Sequence, residues 1–322
     1  MRVLAALVLS LVCASPAVAQ RFPFSRDLPA DASVVVDVNT LNGAVEVVGG
    51  AAGRVVVEGA ATAKVGFGVP ADAVAIAQRV AAQPPIDATP SLVRLGVPVD
   101  AEARRAVTVS YRVEVPSSAT LTVRTASGAI TLRGVAGTAT IASGSGAVDL
   151  TRVGTAAVTT ESSAVRVDGA AALDVRTQSG AIEVDAVPGA LAIVTGSGSV
   201  RASLRQADVT PAASRVRTRS GAVSLTGVRG ALDVETDSAR VAVDGAPVGD
   251  WQIESGSGEI RVTTARDAAY KLEAESRSGQ VHAPDTLTGT RVKSRAEGRI
   301  GTPGPTLRLH TRSSSIHVRV AP

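Results

Sequence analysis

"ASGSGAVDL", residues 142–150, decides how the rest of the chain is read. Its first half, Ser143-Gly144-Ser145-Gly146, has the composition of a flexible linker. Its second half sets apolar Val148 and Leu150 in strict alternation with Ala147 and Asp149. A linker has no reason to alternate, whereas a strand with one buried face must. The stretch therefore reads as a corner followed by a strand.

The same pattern recurs along the chain. "LTVRTASGAITL" (121–132), "ATIASGSGAVDL" (139–150), "AAVTTESSAVRV" (156–167), "LDVRTQSGAIEV" (173–184), "LAIVTGSGSVRA" (191–202) and "SRVRTRSGAVSL" (214–225) align without gaps. So do "VDVNTLNGAVEV" (36–47), "LDVETDSARVAV" (232–243), "WQIESGSGEIRV" (251–262), "LEAESRSGQVHA" (272–283) and "LRLHTRSSSIHV" (307–318), with a degraded copy near 293–302. Central copies are spaced by 17 or 18 residues. Self-similarity at a fixed period near 20 marks a solenoid. Each copy is one strand, a corner and a second strand. The tenth position is Val or Ile throughout: Val45, Ile130, Val148, Val165, Ile182, Val200, Val223, Val241, Ile260, Val281, Ile300 and Ile316. Stacked at about 4.8 Å per coil, these predict one continuous inner stripe. Gly146 and Gly180 mark corners, where φ is positive or another backbone passes close.

Two hydroxyl columns flank that corner. Thr125, Thr160, Thr177, Thr195, Thr218 and Thr236 share one; Ser127, Ser145, Ser162, Ser179, Ser197, Ser220, Ser238 and Ser257 share the other. An outward row would suit ice or glycan binding. Counting parity from the inward apolar residues turns both columns inward, as ladders that satisfy corner backbone.

Composition agrees with thin layers. The 322 residues are 45% hydrophobic and only 2% aromatic. Lys and Arg number 33 against 29 Asp and Glu, a net charge of +4, which is no nucleic-acid-binding signature. The N-terminus reads as an export leader: Arg2, an apolar run over 3–12, and Ala17-Val18-Ala19 as the cleavage site, leaving Gln20 first. Val12 before Cys13 argues against a lipid anchor, and loss of Cys13 with the leader removes all thiol chemistry. No later segment is apolar enough to span a membrane. Residues 20–118 form an irregular section, with a short helix over 71–82 ended by Pro84 and Pro85 and with strands at "GRVVVEG" (53–59) and "AVTVSYRVEVP" (106–116). The regular array occupies 119–322.

The run "YRVEVPSSATLTVRTASGAITLRGVAGTATIASGSGAVDL" (111–150) resembles exported bacterial proteins grouped as "putative adhesins" of unknown function. Their mark is a strand ending in Val-Pro, then Ser-Gly-x-Ile/Val units joined by Val-x-Gly turns. Here those turns are "GVAG" (134–137), "AVPG" (186–189) and "GVRG" (227–230), and the likeness runs from about residue 33 to the end. The resemblance implies an all-β fold, a right-handed single-stranded β-helix of about twelve coils. It carries over no functional residues.

Chemistry is sparse. His282 and His317 share an outward column but stand two coils, roughly 10 Å, apart with the degraded copy between them, too far for easy shared ligation. No G-x-S-x-G is present, each G-x-G at Gly144, Gly196 and Gly256 lacks its third glycine, and the calcium-binding nonapeptide is missing. Asp149, Arg166, Glu183 and Arg201 form an outward column of alternating sign, read as a cross-coil ion ladder rather than as paired catalytic acids. Trp251 begins a coil at an inward position and reads as packing. The expectation is a non-catalytic, exported structural or adhesive element of the periplasm or cell surface. It has no catalytic, cofactor-binding or metal residues, no cofactor and no nucleic-acid partner. Envelope polymers or other copies of itself are its expected partners. A polysaccharide-active β-helix enzyme would instead show acids that no ladder explains. An end-to-end polymerising scaffold would self-associate through its last coil, 307–320.

Overall fold

The computed structural model describes residues 19–205, 211–302 and 304–321; the leader assigned to 1–19 falls, but for Ala19, outside them. The 27 strands of the described residues belong to one hydrogen-bonded sheet wound back on itself in a solenoid-like repeat. Among the described residues helix is confined to Ala73–Ala82 and Ala101–Ala106. The first matches the helix expected over 71–82. The second was not anticipated, although Asp100 caps it by accepting the amides of Glu102 and Ala103. Among the described residues no helix is long and apolar enough to cross a membrane.

Two parallel faces carry the repeat. The first stacks Thr120–Thr125 on Ala139–Ser143 and continues through Leu191–Thr195 to Trp251–Ser255. The second stacks Ile130 on Val148, Val165, Ile182, Val200, Val223, Val241 and Ile260 in unbroken register. Each of these eight side chains is no more than 2% exposed. The two inward layers meet directly, so the core is a thin slab of Val, Ile and Leu, which β-branched side chains fill without large rings. Trp251 is fully buried and donates its indole N–H to the Gly230 carbonyl at 2.9 Å.

The chain doubles back at both ends, which a repeat read in sequence order does not foresee. Val35–Thr40 lies between Leu92–Leu95 and Thr120–Thr125, and Val45–Gly50 between Val107–Pro116 and Ile130–Arg133, so the section over 92–116 adds a further rung outside 35–50. At the other end Thr306–Thr311 lies between Trp251–Ser255 and Tyr270–Ser276, and Ile316–Val320 between Ile260–Thr264 and Val281–His282. The segment 307–320 is therefore an interior rung, not the terminal coil. The degraded copy near 293–302 is no parallel coil either: Arg295–Ile300 runs antiparallel to Tyr270–Ser276, and Ile300 faces Tyr270 instead of joining the inner stripe. Arg54–Ala63, antiparallel to Val107–Pro116, covers the other end in the same manner. Antiparallel strands thus close both ends of a parallel stack, blunting edges that would otherwise template further pairing.

Candidate functional site

The corner between the two faces is where the repeat motif meets solvent. At most coils the buried Thr or Ser that ends a first-face strand accepts the amide three residues on: Gly128 to Thr125 Oγ1 at 2.9 Å, Gly146 to Ser143 Oγ at 3.1 Å, Gly180 to Thr177 Oγ1 at 3.2 Å, Gly198 to Thr195 Oγ1 at 3.0 Å; Thr160 instead donates to Thr177 Oγ1 at 2.9 Å. The threonine column is inward, 4–7% exposed, and does the backbone work expected of it.

The serine column is not inward. Ser127, Ser145, Ser162, Ser179, Ser197, Ser220, Ser238 and Ser257 are all exposed. Parity fails because the tight turn spends two residues facing out before the chain re-enters the core at the glycine. Ser313 and Ser278 extend the row past Ser257, and Ser127 Oγ donates to Asn42 Oδ1 at 2.8 Å at its other end. One hydroxyl per coil therefore lines this corner, at the strand spacing of about 4.8 Å.

Where a glycine follows the serine it is required by clearance, not by dihedral; Ser163, Ala239 and Ser314 take that place in three of the coils. Gly146 and Gly180 are absent from the positive-φ glycines, which include Gly134, Gly169 and Gly227 at the turn leaving the second face. A Cβ on Gly180 would stand 1.5 Å from the Ser163 carbonyl oxygen, and one on Gly146 1.9 Å from that of Gly128. Successive coils touch backbone to backbone here.

Beside the corner lie ion ladders. Asp149, Arg166, Glu183 and Arg201 stand in register. Arg166 reaches Glu183 at 2.7 Å and Arg201 reaches it at 3.6 Å, while Asp149 acts on Arg166 only through longer-range attraction. On the first face Arg215 pairs with Asp233 at 2.9 Å and Arg217 with Glu235 at 3.2 Å. The hydrogen bond from Arg166 holds the Glu183 carboxyl below its ordinary value; those from Arg261 and Lys271 do the same for Glu259 and Glu273. Carboxylates kept ionised in this way suit ion pairing and not proton donation.

Concavities also open along the surface. A groove of about 710 Å³ runs across several coils of the first face, its wall formed by Ala172, Ala190, Ala213 and Ala231. One of about 760 Å³ lies over Phe24 and Tyr111, whose rings meet edge to face at 6.0 Å. Burial pushes the Tyr111 hydroxyl well up, and that hydroxyl donates to the Gly96 carbonyl at 2.7 Å. Both rings are buried floor, so neither is a sugar platform. A third, about 380 Å³, gathers Glu254, Glu273, Glu275, Glu297, Arg308 and His310 near the C-terminal end. Among the described residues no group of three or more His, Cys, Asp or Glu is placed to hold a metal ion.

The histidines are not where the sequence put them. Because 307–320 folds back beneath the last rung, His282 and His317 are direct neighbours, their rings stacked at 4.6 Å and 9° apart. His317 Nε2 lies 3.4 Å from Glu259 Oε1.

The geometry can be set beside known proteins. No curated protein matches the chain. Two solved structures share 10% identity with it: a "putative cell adhesion protein" from Clostridium sporogenes, covering 93% of this chain and 100% of that one at a TM-score of 0.19, and a "putative adhesin" from Bacteroides fragilis, covering 93% and 97% at 0.34. The Toastrack DUF4097 model matches twice in tandem, over 103–211 and 204–319, more than half of the sequence, and so the chain belongs to the Toastrack DUF4097 family.

Proposed function

We propose that this protein is an exported, non-catalytic β-solenoid of the cell envelope, a structural or adhesive element that contacts envelope polymers along its length. Residues 1–19 act as the leader, 20–118 as an irregular entry section and 119–322 as the repeat. The coil is right-handed and single-stranded, with about twelve turns. The site of action is the periplasm or the cell surface. The observation that carries the reading is the outward serine row, one hydroxyl per coil between two ion-laddered faces. A flat, repeated array of weak donors and acceptors binds polymers by avidity rather than by a deep pocket.

The test is binding of the mature chain to isolated cell-wall material. Ser→Ala changes are introduced first at 145, 162 and 179, then also at 197, 220 and 238. Retention on the wall material should weaken with each group while the melting temperature stays put. Undiminished retention in the six-fold variant would remove the serine row from the function. New reducing or unsaturated ends from a polysaccharide panel, lost in an Asp149→Ala/Glu183→Ala double variant, would install the enzyme instead. Mass analysis of the exported form should find Gln20 first.

A further inference from the structure

His282 belongs to the outermost rung of the second face, Val281–His282, which pairs with Ile316–Val320 alone. That rung is two residues long and is otherwise tied down by the Val281 amide donating to the Lys293 carbonyl and the Ile316 amide to that of Gln280, both at 2.9 Å. It joins Tyr270–Ser276 to the antiparallel hairpin of Thr288–Val292 and Arg295–Ile300, which covers this end. The imidazoles of His282 and His317 lie face to face at 4.6 Å. Their surroundings are basic. Arg261 sits in register with His317 on the next strand inward, and Arg319 lies two residues along the strand of His317. Lys293 lies at the turn of the covering hairpin, its carbonyl bonded to the Val281 amide, while Arg295 of that hairpin is already paired with Glu297 at 2.7 Å. Among the described residues the acid paired with His317 is Glu259, and it is already paired with Arg240 at 3.4 Å and Arg261 at 2.8 Å.

We infer that the stacked His282–His317 pair is an acid-sensitive latch, which holds the terminal rung and its hairpin closed while both rings are neutral and releases them when both are protonated. Two cations one strand apart repel, and Glu259 cannot neutralise both. Burial, with His282 as the next contribution, holds the His317 imidazole below its ordinary value near 6.5. A histidine depressed in this way contributes stability that is full above the ordinary value and declines as pH falls below it. Release frees the outer edge of Ile316 and His317, whose backbone groups then have no strand beyond them. The inference stands on the end geometry and does not need the envelope reading.

Hydrogen exchange of the full chain, read by mass spectrometry and corrected for the intrinsic effect of pH, tests it. Protection of peptides spanning 277–300 should fall at least about fivefold between pH 7.5 and 5.0, the scale of repulsion between two charges at this distance fully screened by water. Protection over 139–170 should stay level. His282→Gln keeps a polar side chain of similar size and should abolish the fall; His310→Gln, in the neighbouring polar concavity, should leave it intact. Level protection of 277–300 in the native chain overturns the latch, as does a fall of equal size in His282→Gln.

Discussion

Gly180→Ala isolates the reason for the Ser-Gly corner. Gly180 is nearly sealed from solvent, and its φ is not positive, so an alanine is not strained by its own dihedral. The new methyl would instead stand 1.5 Å from the Ser163 oxygen and 2.5 Å from its carbonyl carbon. An ordinary contact of this kind begins at about 3.4 Å, so the two coils must part locally by roughly 1.9 Å, about two fifths of the rung spacing of about 4.8 Å. The hydrogen bonds nearest the strain are Gln178 N–H to Glu161 O at 3.2 Å, Ser179 N–H to Glu161 O at 3.1 Å and Gly180 N–H to Thr177 Oγ1 at 3.2 Å. Losing one or two of them, at about 1 kcal/mol each, together with about 1–2 kcal/mol of overpacking, costs about 2–4 kcal/mol. At about 2–4 °C per kcal/mol for a chain approaching this size, the melting temperature should drop by roughly 5–15 °C. Differential scanning calorimetry reads this directly. Ser162→Ala, one coil away and facing solvent, is the paired control and should not move it. Equal melting for the two variants would show that the corner glycine has no clearance role, and the account of the repeat would fail with it.

The inward and outward assignments make a second contrast. Ile182 is fully buried between Val165 and Val200 in the second-face ladder, so Ile182→Ala should cost about 2–5 kcal/mol, and Glu183→Ala beside it should leave urea unfolding unchanged. On the acid side, Glu259 and Glu273 are held below the ordinary 4.5 by their Arg and Lys partners. A depressed carboxyl contributes stability that is present above its unfolded value and lost as pH falls through the folded one. The urea midpoint should therefore decline below about pH 4.5, and less steeply in 1 M salt, because these pairs are exposed and screened. A midpoint flat from pH 7 to 3 would remove these pairs from the stability of the chain.

Residue order alone was enough for the repeat, the inner Val/Ile stripe from Val45 to Ile260, the inward threonines, the buried Trp251 and the helix near 71–82. Each follows from a local rule: a period of two within strands, a fixed spacing between copies, or two prolines closing an apolar stretch. Three features needed the tertiary structure. Which way the serines face depended on how many residues the corner turns outward, and the sequence does not state the geometry of a turn. The Ser-Gly glycines were needed either for dihedral or for clearance, and only the neighbouring coil's carbonyl oxygen decides between them. The His282–His317 contact depended on the chain laying 307–320 beneath 270–282. Strands of the same pattern are interchangeable partners as far as composition goes. Their order in space is set by which end of the stack is left for the antiparallel strands to cover, a long-range matter that no window of sequence contains.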